Sequence, residues 1–357
     1  MQIRFGLGAL EVLHELVELE SPTGDTSELR DRMAEKLQDL GGAVTLEGEH
    51  LRADFPGDGA PLLLLGHVDT VWPRGALATM PWRVEGGRAY GPGSYDMKGG
   101  LVVMLDAIRT AQTDRPLRVV LTADEEIGSP TARGVLERAA AGAAAAFVCE
   151  PPTSHGHLKT ARKGLGRFSF RVSGRAAHAA EPGHGVSAID ELARLTLRLH
   201  ALNDPSCGVS LNVGVISGGT RENVVAAEAT ALLDVRVPTV AERDRIDGIL
   251  RGLQAEAAGA TIEVGGGWTR PPLERSTGAG SLFERAREHG RALGLELREV
   301  AVAGGSDGNL VGALGVPVLD GLGAEGGGAH ATGEHVLVES LAVRAELLAR
   351  ILRDPGL

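Results

Sequence analysis

Histidine and carboxylate side chains gather at four places in the first half of this chain: Gly66-His67-Val68-Asp69-Thr70, Ser94-Tyr95-Asp96-Met97-Lys98, Asp124-Glu125-Glu126 and Cys149-Glu150-Pro151. A fifth candidate, His330, stands far downstream in Gly328-Ala329-His330. These are the side chains from which protein offers ligands to a borderline-hard divalent metal. One such stretch means little, because an aspartate before a helix is an ordinary N-cap and a histidine at a strand end is commonly inert. Several delivered from successive strand ends read as a catalytic metal site.

The local spacing refines that reading. His67 and Asp69 are two apart on extended chain and point to the same side, so His67 can bind metal while Asp69 orients it or supports a neighbouring group. Asp96 directly precedes an expected helix, where its carboxylate can cap with one oxygen or bridge two metals with both. Adjacent residues project differently, so within Asp124-Glu125-Glu126 one glutamate can ligate while its neighbour addresses a water. Glu150 ends the next strand.

The elements that must position these groups follow from periodicity. Helices are expected at Ser27–Leu40, Met97–Ala111 and Pro130–Ala141, and continuous apolar runs at Pro61–Gly66, Leu117–Thr122 and Ala145–Cys149 read as strands buried on both faces. This alternation predicts an α/β fold, a mostly parallel sheet covered by helices on both faces. From Leu165 the texture changes. Phe168, Phe170 and Val172 alternate with polar residues, as do Val209, Leu211 and Val213, and Thr230–Val237 is rich in β-branched and aliphatic residues. Helices are expected at Ser187–Leu202, opened by a Ser187/Asp190 capping pair, and at Ala241–Ala258. We therefore expect an inserted α+β domain at 162–271, with the catalytic domain in two parts, 1–161 and 272–357. The second part carries a helix at Ser281–Leu293, a strand at Leu297–Ala303 and a final helix near Val338–Leu352.

The bulk numbers agree. A chain of 357 residues is too long for one ordinary core. Its 36 basic and 47 acidic residues give a net charge of −11, which argues against a nucleic-acid partner. Cys149 and Cys207 lie far apart without Cys-x-x-Cys spacing, as in a reduced compartment. The richest apolar stretch, Ala139–Val148, is short of membrane-spanning length, and the amphipathic segment Leu10–Leu19 follows no signal-peptide core. The expectation is a cytoplasmic protein with no membrane partner.

The motifs resemble a known family. Leu65-Gly66-His67-Val68-Asp69-Thr70-Val71, Gly91-Pro92-Gly93-Ser94-Tyr95-Asp96-Met97-Lys98-Gly99-Gly100, Asp124-Glu125-Glu126-Ile127-Gly128-Ser129 and Glu150-Pro151-Pro152 are similar to those of the glutamate carboxypeptidase/aminoacylase superfamily of dinuclear zinc hydrolases. So are Ser173-Gly174-Arg175-Ala176-Ala177-His178-Ala179, Asn223-Val224-Val225, Asp234-Val235-Arg236, Gly304-Gly305-Ser306-Asp307 and His330. The resemblance implies two Zn²⁺ per subunit, with Co²⁺ or Mn²⁺ as alternatives that tolerate the same ligands. Asp96 would bridge them, His67 and Glu150 completing one site and Glu126 and His330 the other. Glu125 would be the general base and Asp69 the partner of His67. His178 would stabilise the tetrahedral oxyanion, while Asn223, Arg236, Gly304 and Gly305 would hold a substrate carboxylate. The inserted domain would act as a dimerisation or lid domain and make a homodimer. The implied activity is hydrolysis of an amide next to a free C-terminal carboxylate in a small peptide, with deacylation of N-acyl amino acids as the alternative.

Glu150 stands where the dipeptidase branch has Asp, which favours carboxypeptidases and deacylases. Ala226 and Ala331 also depart from residues common in the family, and leave the pocket shape open. Another class of enzyme fits a different motif: Gly304-Gly305-Ser306-Asp307-Gly308 matches Gly-x-Ser-x-Gly, and Ser306, Asp320 and His330 follow the order of a serine-hydrolase triad. That reading leaves His67, Asp96, Glu125, Glu126 and Glu150 unexplained. A purely metal-binding protein would not need Glu125 beside a ligand. A Walker motif and His-Glu-x-x-His are absent from the sequence.

Overall fold

The computed structural model describes residues 8–357, which divide into two compact units. The larger holds the chain to Ala161, then Arg275–Val302 and Ser306–Leu357; the smaller holds Arg162–Glu274 with Ala303–Gly305.

The larger unit is built on an eight-stranded sheet in the order Ala43–Glu47, His50–Phe55, Leu117–Thr122, Leu62–His67, Ala145–Val148, Val318–Asp320, Leu158–Arg162, Glu299–Val302. Leu117–Thr122, Leu62–His67, Ala145–Val148 and Val318–Asp320 run parallel. Every residue of Leu62–His67 is buried, as expected for a central strand covered on both sides. Leu62, Leu64, Leu117, Val119, Leu121, Ala145 and Phe147 join one apolar cluster with helices Gly8–Glu18, Gly99–Ala111 and Val338–Arg353. The alternate residues Leu63, Leu65, Val120, Ala146 and Val148 are equally buried on the opposite face, where helices Arg133–Ala140 and Asp307–Gly312 pack.

Two features bring the strand ends and loops together. Gly100, in the first turn of its helix, lies so close to the strand end that an added Cβ would stand 2.0 Å from the Cys149 carbonyl oxygen. No side chain fits there, and the turn before Gly100 therefore sits beside Glu150. A small antiparallel sheet, Gly326–Gly327, His335–Leu337, Arg88–Tyr90, Arg83–Glu85, pairs His335 with Tyr90. The loop ending at Glu334 is thereby set alongside the loop that begins at Gly91.

The smaller unit is an antiparallel sheet in the order Ser210–Gly218, Glu228–Val237, Gly164–Ser173, Thr261–Arg270. Burial alternates strictly along Gly164–Ser173. Phe168, Phe170, Val172, Leu233 and Val235 face helices Ala188–His200 and Val240–Arg251, while Leu232 is exposed. The Ser187 side chain accepts from the Asp190 N–H, as the capping spacing requires.

Some elements differ from expectation. The helix expected over Ala241–Ala258 stops at Arg251, before Gly252. The strand Thr261–Arg270 is not apparent in the sequence because Gly265-Gly266-Gly267 reads as a loop. In the structure Gly266 has φ +77°, and a Cβ there would stand 2.2 Å from the Arg167 carbonyl oxygen, so the glycine permits the close pairing. Asp96 is not a helix cap: it lies in an irregular turn, Ser94–Lys98, before the helix proper begins at Gly99.

Candidate metal centre

All five candidate ligands belong to the larger unit, and their ligand atoms converge. His67 Nε2 lies 3.3 Å from Asp96 Oδ1 and 3.6 Å from Glu150 Oε1. His330 Nε2 lies 3.4 Å from Asp96 Oδ2 and 3.3 Å from Glu126 Oε2. Two sets of histidine, glutamate and one aspartate oxygen thus share the two oxygens of Asp96. Zinc binds histidine nitrogen and carboxylate oxygen at about 2.0–2.1 Å, so neighbouring ligands of a tetrahedral ion stand about 3.3–3.4 Å apart. The observed separations match that edge and are long for direct hydrogen bonds. A further sign of fit is Glu126 Oε1, a buried oxygen without a hydrogen-bond partner.

Backbone and neighbouring side chains aim these groups. His67 Nδ1 is 2.9 Å from the Asp69 carbonyl oxygen, which can only accept, so Nδ1 carries a proton and Nε2, facing Asp96 and Glu150, is the nitrogen placed to ligate a cation. The Asp69 carboxylate, fully buried, stands 3.5 Å from the same Nδ1 and does a second task. Its Oδ1 accepts the Glu125 N–H and its Oδ2 the Glu126 N–H, each at 3.1 Å, and the Thr23 hydroxyl donates to Oδ2 at 2.8 Å. Asp69 therefore fixes the peptide units of both glutamates. Asp124 points elsewhere: its Oδ2 accepts the N–H and hydroxyl of Thr131, and the Thr131 hydroxyl also meets His50. The three adjacent acids so divide into one anchor and two that project. A carboxylate oxygen of Glu125 lies within 4.8 Å of ligand atoms of His67 and Glu150.

Electrostatics reflect a crowd of carboxylates. Burial alone would lower the His67 pKa, but Asp69, Asp96 and Glu150 together hold it well above its ordinary value. The carboxylates of Asp96 and Glu126 raise His330 to about 10. Burial works to raise Asp96, yet His330 and His67 bring it below the carboxylate range. The site therefore attracts positive charge, and divalent cations would take the place of the protons on the two histidines.

The structure also supplies a residue with no motif to announce it. Glu334 is buried, and its carboxylate accepts N–H groups from Tyr95 and Asp96 on one oxygen and from Gly93 and the Trp72 indole on the other. Burial raises its pKa and the N–H donors offset part of that rise. The one sequence clue is an acid four residues after His330 in a glycine-rich loop.

The other predicted residues lie in the smaller unit. His178 is exposed, and its Nδ1 accepts the Ala180 N–H at 3.0 Å, which leaves the neutral ring's proton on Nε2 as an outward donor. His178 bridges to Val224, beside Asn223, whose carbonyl accepts the Ala179 N–H. The Arg236 guanidinium is paired with Asp234 two residues away on its own strand and donates to the Ala303 carbonyl at 3.1 Å. The carbonyls of Gly304 and Gly305 each accept from buried Arg162 at 3.1 Å.

The serine-hydrolase reading fails on geometry. Ser306 is fully buried as a helix N-cap: its hydroxyl donates to Asp320 Oδ2 at 2.6 Å and accepts the Gly308 N–H. Asp320 thus binds the serine itself, and His330 is aimed at Asp96 and Glu126, so no relay from Ser306 through histidine to aspartate exists.

Residues 63–354 match the model of peptidase family M20/M25/M40. Carboxypeptidase G2 from Pseudomonas sp. (strain RS-16) is 31% identical over 97% of this chain and 89% of its own. Acetylornithine deacetylase from Myxococcus xanthus is 34% identical over 55% of each chain. Among solved structures, aminopeptidase PepT from Bacillus cereus superposes with a TM-score of 0.85 over 98% of both chains, at 23% identity, a likeness of fold.

Proposed function

The chain belongs to peptidase family M20/M25/M40, and from that premise we propose that it is a metal-dependent exopeptidase that hydrolyses the amide next to a free C-terminal carboxylate. The observation that carries the reading is the pair of ligand sets, each 3.3–3.6 Å between atoms, that share the two oxygens of Asp96. Two zinc ions held by His67, Asp96 and Glu150 and by Asp96, Glu126 and His330 would polarise the scissile carbonyl and acidify water. Co²⁺ and Mn²⁺ suit the same donors.

The chain's own residues perform the rest. Glu125, held through its peptide N–H by Asp69, takes a proton from the attacking water and passes it to the leaving amine. The outward Nε2–H of His178 suits a developing oxyanion. Arg236 suits a carboxylate because its planar fork makes two parallel hydrogen bonds, as it already does with Asp234. Asn223, Gly304 and Gly305 are assigned to the same carboxylate by resemblance.

The likeness to a protein named carboxypeptidase along 97% of the chain favours peptide substrates, whereas the deacetylase likeness spans about half and supports N-acyl amino acids as the second reading. Exposed Val215, Ile216 and Leu232 on the smaller unit's sheet support a homodimer through that unit. No helix of the described residues is long and apolar enough to cross a membrane, and two cysteines without a disulfide fit the cytoplasmic assignment.

The test is hydrolysis of a panel of short peptides and N-acyl amino acids by protein reconstituted with Zn²⁺ or Co²⁺. Faster turnover of peptides than of acyl amino acids supports the first reading, and the reverse order supports the second. Full activity after exhaustive chelation would refute both.

A further inference from the structure

We propose that Glu334 is a positioning residue of the metal centre, whose carboxylate ties together the three separate chain segments that carry His67, Asp96 and His330. The inference rests on the metal reading above and deepens it.

The argument is geometric. Tyr95 N and Asp96 N donate to Glu334 Oε1 at 3.0 and 2.9 Å, and Gly93 N and Trp72 Nε1 donate to Oε2 at 2.9 and 2.7 Å. Each oxygen receives two donors, an arrangement that only the deprotonated carboxylate completes. A carboxylate that merely caps a turn serves neighbours in its own loop. These partners lie 238 to 262 residues away in sequence. They also belong to two segments that bear candidate ligands. Trp72 follows His67 by five residues, and the peptide N–H of Asp96 itself is one of the donors. Glu334 stands four residues after His330, and its own carbonyl accepts the Gly91 N–H at 3.4 Å.

The Lys98 and Gly99 N–H groups close the turn Ser94–Lys98 on the Gly93 and Ser94 carbonyls, but these bonds do not use the Asp96 N–H, and the φ and ψ of Asp96 are −115° and 96°. The orientation of that peptide determines where the two oxygens of Asp96 point. Glu334 supplies the acceptors that the irregular turn lacks. Because its carboxylate is fixed in the same short loop as His330, displacement of Glu334 moves two of the three ligands assigned to one ion, Asp96 and His330, together.

The experiment is titration of chelator-stripped protein with Co²⁺, followed by calorimetry and by the visible absorption bands, which report coordination geometry independently of turnover. Wild type comes first: binding of two ions establishes the metal reading alone, and its failure overturns that reading and this inference with it. Glu334→Gln keeps the shape but sets an amide NH₂ against two N–H donors. We expect weaker binding of at least one ion by about 10–100-fold and altered bands, the loss typical of groups that orient metal ligands. Glu334→Asp, one methylene short, should fall between the two. Thermal unfolding of the stripped proteins separates a purely structural role: a lower midpoint with wild-type affinity and wild-type bands overturns the proposal. Should Glu334→Gln not fold, Trp72→Phe removes one donor and leaves the carboxylate in place. A shift in its Co²⁺ bands with weaker affinity supports the proposal, and unchanged values overturn it.

Discussion

Asp69→Asn isolates what the buried carboxylate does, because the replacement keeps the shape and changes one oxygen to an NH₂. Placed at Oδ1, the NH₂ would face the Glu125 N–H and the protonated Nδ1 of His67, two donors with nothing to accept. At Oδ2 it faces the Glu126 N–H and the Thr23 hydroxyl, and the hydroxyl can rotate to accept. The variant therefore settles with NH₂ at Oδ2 and leaves the Glu126 N–H without its acceptor. A partly buried donor left unpaired costs about 1–3 kcal/mol, which lowers the melting midpoint of a unit this size by roughly 2–12 °C. The displaced Glu126 peptide disturbs the ion assigned to Glu126 and His330 more than the one assigned to His67 and Glu150. Elemental analysis after dialysis against graded chelator should find two tight ions in wild type, but one tight and one weak in Asp69→Asn, the weak one reduced about 10–100-fold. Adding Thr23→Val removes the hydroxyl that rescues the NH₂, so the double variant should be less stable than the sum of the singles predicts. Equal weakening of both ions, or additive effects of the two substitutions, would refute the hydrogen-bond assignment.

Glu125→Gln should retain both ions and the wild-type melting midpoint while kcat falls about 10²–10⁴-fold, as loss of a general base requires; kcat within a few-fold of wild type would remove Glu125 from that role. His67 and His330 are both held above their ordinary value, His330 at about 10, so their contribution to metal-free stability is complete below pH 6.5 and is lost as pH rises through the folded values. Melting scans of stripped protein should therefore fall from pH 6.5 toward 10, the loaded protein should not show that fall, and loading near pH 7 should release protons. Ser306→Ala should destabilise by about 1–3 kcal/mol through the lost cap and the lost hydrogen bond to Asp320, yet keep kcat per folded molecule. A collapse of kcat in a folded Ser306→Ala protein would revive the serine mechanism.

What the sequence discloses and what it withholds differ by physical kind. Buried strands such as Leu62–His67 are legible because a central parallel strand must be apolar throughout, and the half-exposed strand Gly164–Ser173 because its side chains alternate. The candidate ligands are legible because coordination chemistry admits few residue types, so the histidine and carboxylate stretches stand out, while the choice of Glu126 over Glu125 and its pairing with His330 come from the resemblance. Thr261–Arg270 is hidden because Gly266 serves a neighbouring backbone, and that requirement exists only after the sheet has formed. The same holds for Glu334 and Thr23. Each is an ordinary polar residue that makes common hydrogen bonds, and nothing local separates it from a solvated loop residue. Their importance comes from partners that only folding supplies: Thr23 meets Asp69 across 46 residues, and Glu334 meets Asp96 across 238. A ligand must have a particular chemistry, whereas a residue that aims a ligand needs only an acceptor in the right place. Aspartate, glutamate or a carbonyl can supply that acceptor from anywhere in the chain. The supporting residues are therefore the part of the site that substitution data will reveal and motif reading will not.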